Sequence, residues 1–259
     1  MTYSMKKKIS GALRIIIIGI LALMFAYPVI MTAARSFIYD GKLSLTSYWR
    51  LFVFNFTYLD YFWNSVIYAT LITVVCIIIS FPLGFLFAKI KFKGRELIFF
   101  IYILVMMLPF QATSLPNYIQ LRDFGMLNTR LALTVPMMFS PFAVFLFRQY
   151  MKNIPNDLLD STLLESSSVF SIFRYAVIPQ VKPAIAALSI LIFCESWNIV
   201  EQALIFSMDN TDIYPLSVML SNIPADASYA GGTVYMFPVL ALFVLFREAL
   251  ESSMEEYKL

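Results

Sequence analysis

Histidine is absent from this chain of 259 residues. The sequence therefore lacks the side chain that most often moves protons or binds metal ions near neutral pH. Catalytic sets of the Ser/His/Asp or Cys/His type are excluded for the same reason. Cysteine is also scarce, because Cys76 and Cys194 are the two in the chain and both lie within apolar stretches. Neither a disulfide framework nor a thiolate metal site is expected.

Glycine is scarce as well, with eight residues dispersed over the chain. No Gly-x-x-x-x-Gly-Lys-Ser/Thr sequence is present, so the chain lacks the loop that usually holds ATP. We therefore predict that this chain binds no cofactor or metal and does not itself hydrolyse nucleotide.

Charged residues make up only 14% of the chain, against about 25% in a typical soluble domain. Hydrophobic residues make up 60%. This balance is typical of a protein that crosses the lipid bilayer several times. The net charge of +3 is too small to indicate a nucleic-acid partner.

Six apolar stretches are each long enough to cross about 30 Å of hydrocarbon as a helix. The fifth contains Glu195 and Glu201 but otherwise has the length and character of the others. We predict an all-α, polytopic membrane protein with a single transmembrane domain over residues 1–259. The six predicted spans are residues 12–34, 62–88, 97–118, 131–150, 184–207 and 230–247.

Lys and Arg are unevenly distributed between the two sides of the predicted spans. Fourteen lie on the side that holds the N-terminus and five lie on the other. Because cytoplasmic loops carry an excess of Lys and Arg, we expect both termini in the cytoplasm. The outer loop after span five carries Asp209, Asp212 and Asp226 and no basic residue, which agrees with this orientation.

A polar stretch, residues 152–182, separates spans four and five. Pro155 favours the start of a helix there, and Asn156 or Asp157 can cap it. We expect Leu159 to provide apolar contact on this helix, together with Leu163 one turn later. A second short helix is expected to begin within residues 166–168 and to run through Phe170, Phe173 and Arg174.

Two interpretations of this stretch remain open on the residues alone. An amphipathic helix could rest on the lipid surface, or the stretch could dock on a soluble protein. Acidic residues such as Asp160 and Glu165 favour the second interpretation, because the cytoplasmic leaflet is negatively charged and attracts Lys and Arg.

Three polar residues of span five, Glu195, Asn198 and Gln202, would share one face of a continuous helix. A carboxylate at the centre of a bilayer costs about 2.5–3.5 kcal/mol on insertion scales. This face is therefore expected to meet water, solute or another polar group. Hydrogen bonding between helices is one interpretation, and the lining of a translocation pathway is the other.

Two further functions are compatible with these residues. An intramembrane enzyme could use Glu195 and Glu201, but six residues of helix separate them and they project from different faces, which is poor for paired acid–base chemistry. A stand-alone channel or secondary transporter would suit charged residues within the membrane, but it leaves the acidic stretch without a role.

Several motifs occur in a particular order. Residues 154–166 read IPNDLLDSTLLES and are followed by Pro179 and Pro183, while FKGR at 92–95, GMLNT at 125–129 and Trp197-Asn198 lie on either side. In order and spacing they resemble the permease subunits of binding-protein-dependent ABC importers. The likeness is strongest to the carbohydrate-uptake group, which includes the smaller maltose permease subunit. The loop of that family reads Ile-Pro-x-Glu-Leu-x-Glu-Ala-Ala-x-x-Asp-Gly, so the acidic positions are kept and a serine replaces the glycine.

The resemblance implies a type I permease fold in which residues 152–182 form a cytoplasmic coupling loop, with a coupling helix that docks on an ATPase. It implies a second homologous permease, two ATPase subunits that bind ATP and Mg²⁺, and an extracytoplasmic solute-binding protein. The location implied is the bacterial cytoplasmic membrane. The solute implied is a sugar or oligosaccharide, with a non-sugar solute left open. The coupling residues implied are Asp157, Asp160, Leu163, Glu165, Ser166 and Phe170.

The predicted topology can be tested by labelling single cysteines in sealed cells. Cysteine at Ser47 or Asn210 is expected to react with an impermeant thiol reagent from outside. Cysteine at Ser167 is expected to react only after the membrane is opened. External labelling at position 167 would contradict the orientation.

Overall fold

A computed structural model describes residues 2–54, 57–165 and 168–256, with side chains over residues 14–54, 57–165, 168 and 170–248. The described chain is helical apart from one antiparallel hairpin, β1 (Ile38–Tyr39) with β2 (Lys42–Leu43). The α-helices are α1 (Thr2–Ser36), α2 (Thr46–Phe52), α3 (Thr57–Lys89), α4 (Arg95–Met106), α5 (Phe110–Asp123), α6 (Arg130–Thr134), α7 (Pro141–Lys152), α8 (Asn156–Glu165), α9 (Val169–Ser171), α10 (Ile178–Trp197), α11 (Glu201–Phe206), α12 (Leu216–Met219) and α13 (Ser228–Glu256). A π-helical segment covers Ile172–Val177, and 3₁₀ turns cover Val135–Met138, Thr211–Ile213 and Leu220–Asn222.

Within the described residues, five helical segments are long and apolar enough to cross a membrane. A sixth crossing results if α4 and α5 count as one broken span, since only a short break separates them. The five segments are Arg14–Ser36, Thr57–Lys89, Arg130–Lys152, Ile172–Trp197 and Ser228–Glu248.

Span three, predicted as one helix over 97–118, is broken. Its two halves meet at an angle of 99°. Pro109 has an extended conformation at the start of α5, and a proline disfavours helical geometry in the residue before it. The proline therefore ends α4 and redirects the chain.

Span four is also interrupted. The chain passes from α6 into the 3₁₀ turn at Val135–Met138, and Phe139 and Ser140 are extended before α7 begins at Pro141. The Ser140 hydroxyl accepts a hydrogen bond from the Ala143 amide at 3.3 Å and caps α7.

Span five was predicted over residues 184–207, and the structure differs from this prediction at both ends. Helical structure begins at Val169 and runs through the π-helical segment into α10 without a gap. The helix then ends at Trp197, where Asn198 turns its side-chain amide back to the Cys194 carbonyl at 2.7 Å. Val200 is not helical, and α11 starts a separate short helix. The prediction that Glu195, Asn198 and Gln202 share one face of a continuous helix is therefore wrong.

The described contacts divide the chain into two compact units. Unit 1 consists of Met1–Leu59 and Leu220–Phe237. The 36–60 loop of this unit contains the short helix expected near 46–52, and Arg50 forms an ion pair with Asp226. The Ser47 hydroxyl is buried and donates to the Asp226 carbonyl at 3.0 Å. Leu43 is 87% exposed and is therefore a better position than Ser47 for the cysteine that tests the outer side of the membrane.

Unit 2 consists of Asp60–Met219 and Pro238–Leu259. Phe87, Phe99 and Val144 pack together and join α3, α4 and α7. Gly84 of α3 allows a close approach to α7, because a Cβ at this position would clash with the Phe147 side chain. This packing sets the position of the chain that leads into α8.

Candidate functional site

Helix α8 begins at Asn156, directly after Pro155, as the sequence predicts. Lys89, the last residue of α3, holds this start. Its ammonium group donates to the Ile154 carbonyl, to the Asn156 side chain at 3.2 Å and to the Lys152 carbonyl at 3.4 Å. The end of the second span is therefore tied directly to the first turn of α8.

A second basic side chain, Arg148, connects the helices just before α8. Its guanidinium is buried, donates to the Phe87 carbonyl at 3.1 Å and to the Glu96 carboxylate at 2.6 Å. It also lies 3.7 Å from the centre of the Phe99 ring. Arg148 is buried, whereas the Glu96 side chain is 64% exposed. Removing Glu96 would leave the buried guanidinium without its carboxylate, so this cluster favours one fixed arrangement of α3, α4 and α7.

In the sequence, Lys89 and Arg148 served only as positive charges that indicate the orientation of the spans, and their contacts were not predicted. The signal that could have found them is their place at span ends, next to the carbonyl groups that a helix C-terminus leaves unpaired.

The side chains of α8 divide into a buried and an exposed set. Leu159 is 8% exposed, so the apolar contact expected of it is made inside this chain and not with a partner. Leu163 and Phe170 are exposed as predicted, and Leu164, which sequence reasoning missed, is 90% exposed. The predicted acidic residues Asp157, Asp160 and Glu165 are all exposed. Ser166 lies outside the described residues.

The predicted second short helix is not a separate element. Phe170, Phe173 and Arg174 belong to the continuous helical stretch that becomes span five. The polar character of this stretch suggested a loop as far as residue 182. Pro179 lies in the first turn of α10, where a proline is tolerated because its missing N–H would be unpaired anyway.

The three interrupted spans border a cavity of about 440 Å³ in unit 2. Backbone that leaves helical geometry at membrane depth needs protein or a polar cavity around it, because lipid offers no hydrogen bonds. The lining residues are Val105, Met106, Leu108, Phe110, Thr113, Asn117, Pro136, Met137, Phe139, Ser140, Pro141, Phe142, Ile192, Glu195, Ser196 and Gln202.

Two of the three pathway residues predicted from sequence, Glu195 and Gln202, line this cavity. Asn198 is not among its lining residues, and its amide bonds to the Cys194 carbonyl. Glu195 and Gln202 thus border one cavity although they lie on different helices. Thr113 and Asn117 were missed, and the prolines of spans three and four were the signal for a break there.

Glu201 lies outside the lining and interacts with α5. The Gln111 amide donates to both of its carboxylate oxygens, at 3.2 and 3.4 Å. Among the described residues that line the cavity, Glu195 is the one carboxylate, which does not provide the carboxylate pair that an acid–base enzyme would need. The described residues also contain no group of three His, Cys, Asp or Glu side chains placed to hold a metal ion.

Broken membrane helices around a cavity with several polar side chains are typical of membrane transport proteins. Residues 80–256 match the family described as "Binding-protein-dependent transport system inner membrane component". The chain belongs to this family, as its motifs predicted, and is therefore a multi-pass inner-membrane permease subunit.

Two curated relatives and one solved structure illustrate the similarity. The chain is 30% identical to the arabinooligosaccharides transport system permease protein AraQ of Bacillus subtilis (strain 168), over 80% of this chain and 75% of that protein. It is 34% identical to the sn-glycerol-3-phosphate transport system permease protein UgpE of Brucella abortus (strain 2308), over 71% of this chain and 65% of that protein. A chain from the crystal structure of a bacterial ABC transporter involved in the import of the acidic polysaccharide alginate has the same fold, with a TM-score of 0.82, 20% identity, and coverage of 96% of this chain and 99% of that one. The predicted all-α, type I permease fold is confirmed.

The division of α8 into two sets gives a stability test. Leu159→Ala is expected to lower the free energy of unfolding by about 2–5 kcal/mol, because it leaves a void in a packed site. Leu164→Ala, five residues further on and on the exposed face, is expected to change it by less than about 0.5 kcal/mol. Thermal unfolding of the tagged protein in detergent, followed by size exclusion, measures both. Equal losses of stability would contradict the assignment of the two faces.

Proposed function

We propose that this chain forms one half of the membrane pathway of an ATP-driven importer for a carbohydrate, delivered by an extracytoplasmic solute-binding protein. The observation that carries the proposal is α8. This short helix follows a membrane span and exposes carboxylates beside Leu163 and Leu164, in a chain of a binding-protein-dependent transport family. The similarity to AraQ supports a sugar or oligosaccharide as solute. The similarity to UgpE favours the alternative, a non-sugar solute such as a glycerol phosphate.

The proposed partners are a second homologous permease and two ATPase subunits. The first described span supports the permease partner, because the apolar stretch of Arg14–Ser36 is not buried inside this chain and lipid or another subunit must cover it. The sequence supports the ATPase partners, since it contains no phosphate-binding loop. ATP and Mg²⁺ would then be bound by those subunits, and this chain would catalyse no reaction.

The coupling role is assigned to the exposed face of α8 and the residues after it. Leu163, Leu164 and Phe170 would provide apolar contact with a cleft of the ATPase. Asp157, Asp160 and Glu165 would accept hydrogen bonds from Arg, Lys or backbone N–H groups of that subunit. Ser166, which lies outside the described residues, is included because the family motif implies it. The contacts of Lys89 with residues 152–156 hold the helix against α3, so that movement of the ATPase displaces the spans rather than bending a loop.

The orientation of the chain in the membrane agrees with the assignment of α8 to the ATPase contact. The excess of Lys and Arg on the side of α8 supports a cytoplasmic position for α8 and both termini. The pathway would open toward the binding protein on the opposite side, with Glu195 and Gln202 along its cavity and Asn198 at the break in span five.

Reconstitution tests the proposed function as a whole. The chain alone in liposomes is expected to transport no solute, with or without ATP. The complex recovered from the native membrane, with its permease partner, its ATPase subunits and the binding protein, is expected to take up arabinooligosaccharide when ATP is supplied inside. Solute flux through the chain alone would instead support a channel or a secondary transporter.

Replacement of Glu165 tests the coupling role. Glu165→Lys is expected to leave insertion and pairing with the second permease intact but to weaken retention of the ATPase. A sheltered charge-assisted hydrogen bond contributes about 1.5–3 kcal/mol, which corresponds to a loss of roughly 10- to 100-fold in affinity. The measurements are ATPase recovery and solute-stimulated ATP hydrolysis.

Glu248→Lys is the matched control, because Glu248 is an exposed carboxylate in α13 and the proposed topology puts it on the same side of the membrane as α8. Ser166→Gly, which restores the glycine of the family motif, is expected to be tolerated. Normal recovery and stimulation in Glu165→Lys would remove this residue from the coupling mechanism.

A further inference from the structure

The polar side chains of the cavity are mostly uncharged. Hydroxyl and amide groups come from Thr113, Asn117, Ser140, Ser196 and Gln202, and Glu195 is the one ionisable side chain among the described residues of the lining. Hydroxyls and amides both donate and accept hydrogen bonds, and a carboxylate accepts them. Such a set fits a solute that carries many hydroxyl groups.

Ser196 gives a separate indication that the cavity takes a ligand. Its side chain is 1% exposed and lines the cavity, yet its hydroxyl has no hydrogen-bond partner within the described part of the chain. A buried polar group without a partner is costly. A hydroxyl-bearing solute in the cavity would satisfy it.

The sign of the charge in the cavity depends on Glu195. The C-terminal ends of α4 and α10 and the N-terminal ends of α5 and α7 all contribute residues to the lining. Their partial charges are opposite in sign and largely offset each other. A carboxylate next to low-dielectric walls then attracts cations and repels anions.

We propose that this cavity is a solute-contacting site that accepts uncharged or positively charged sugars and disfavours acidic ones, with Glu195 as the residue that determines this preference. The proposal rests on the proposed function, because it takes the cavity as part of the carbohydrate pathway. The expected preference is opposite to the one that an acidic cargo such as alginate requires.

Charged thiol reagents measure the preference without knowledge of the solute. Thr113→Cys places a thiol in the lining, and the complex purified from the native membrane is treated with a cationic or an anionic methanethiosulfonate. Labelling of the parent complex, which retains buried Cys76 and half-buried Cys194, is subtracted. The ratio of cationic to anionic reaction rates is compared with the ratio for a free thiol in solution.

The ratio at position 113 is expected to exceed that of the free thiol by about tenfold, and Glu195→Gln is expected to lower it by at least about fivefold. Asp123→Asn is the matched control, since Asp123 is an exposed carboxylate ten residues further along α5, about 15 Å from position 113, and does not line the cavity. It should change the ratio by less than about twofold. A ratio that Glu195→Gln does not change, or a thiol that neither reagent reaches, would overturn the proposal.

A solute measurement separates this inference from the proposed function. Arabinotriose and a galacturonate trimer are each supplied with the binding protein to the reconstituted complex, and ATP hydrolysis is followed. Stimulation by arabinotriose alone supports both proposals when the reagent ratio is as expected. Stimulation by the galacturonate trimer alone overturns the preference but keeps a carbohydrate importer. If neither sugar stimulates hydrolysis while the reagent ratio holds, the carbohydrate assignment fails and the cavity's preference for cationic over anionic groups stands.

Discussion

The lack of hydrogen-bond partners in lipid is the constraint on which the rest of this structure depends. Every backbone N–H and C=O at membrane depth must be paired within the protein or face a polar cavity. Spans three, four and five each leave helical geometry, at residues 107–109, 139–140 and 198–200. Leu108 of the first break and Phe139 and Ser140 of the second line one cavity, and Ser196 and Gln202 on either side of the third break line it too. Non-helical backbone is thus concentrated where polar side chains and solvent can satisfy it, and the same condition produces a site able to contact a polar solute.

The same constraint explains the positions of two basic side chains near the ends of spans. Arg148 is buried but lies near the end of its helix, where Glu96, the Phe87 carbonyl and the Phe99 ring surround it. Lys89 follows Phe87 by two residues at the end of α3 and binds the chain that leads into α8. These two cations satisfy carbonyl groups that helix ends leave unpaired, and they fix the position of α8 relative to three spans. A helix placed in this way can transmit a displacement that a free loop would absorb.

Much of this arrangement could be predicted from the sequence, because it depends on local signals. Apolar length predicts the spans, and Pro155 predicts the start of α8. The breaks were harder, since Pro109, Pro136 and Pro141 indicate kinks but do not say whether tertiary packing lets the helix continue. Glu195 and Gln202 were identified on the basis of a continuous helix face that does not exist; they line one cavity because the chain bends between them. The roles of Lys89 and Arg148 depend on contacts over more than fifty residues of chain, which no local pattern encodes.

The helix that runs from Val169 to Trp197 connects the two candidate sites. Its first part packs against α8 through the π-helical segment Ile172–Val177, and its last turn contributes Glu195 and Ser196 to the cavity. At 1.5 Å per residue such a helix extends about 40 Å, comparable to the thickness of a bilayer. The π-helical segment lies at the junction with α8, and such segments are frequent at functional sites. One continuous element therefore reaches from the surface proposed to receive the ATPase to the residues proposed to contact the solute. A shift of α8 along this axis would change the cavity without unfolding any helix, which is the mechanical property that coupling of ATP hydrolysis to transport requires.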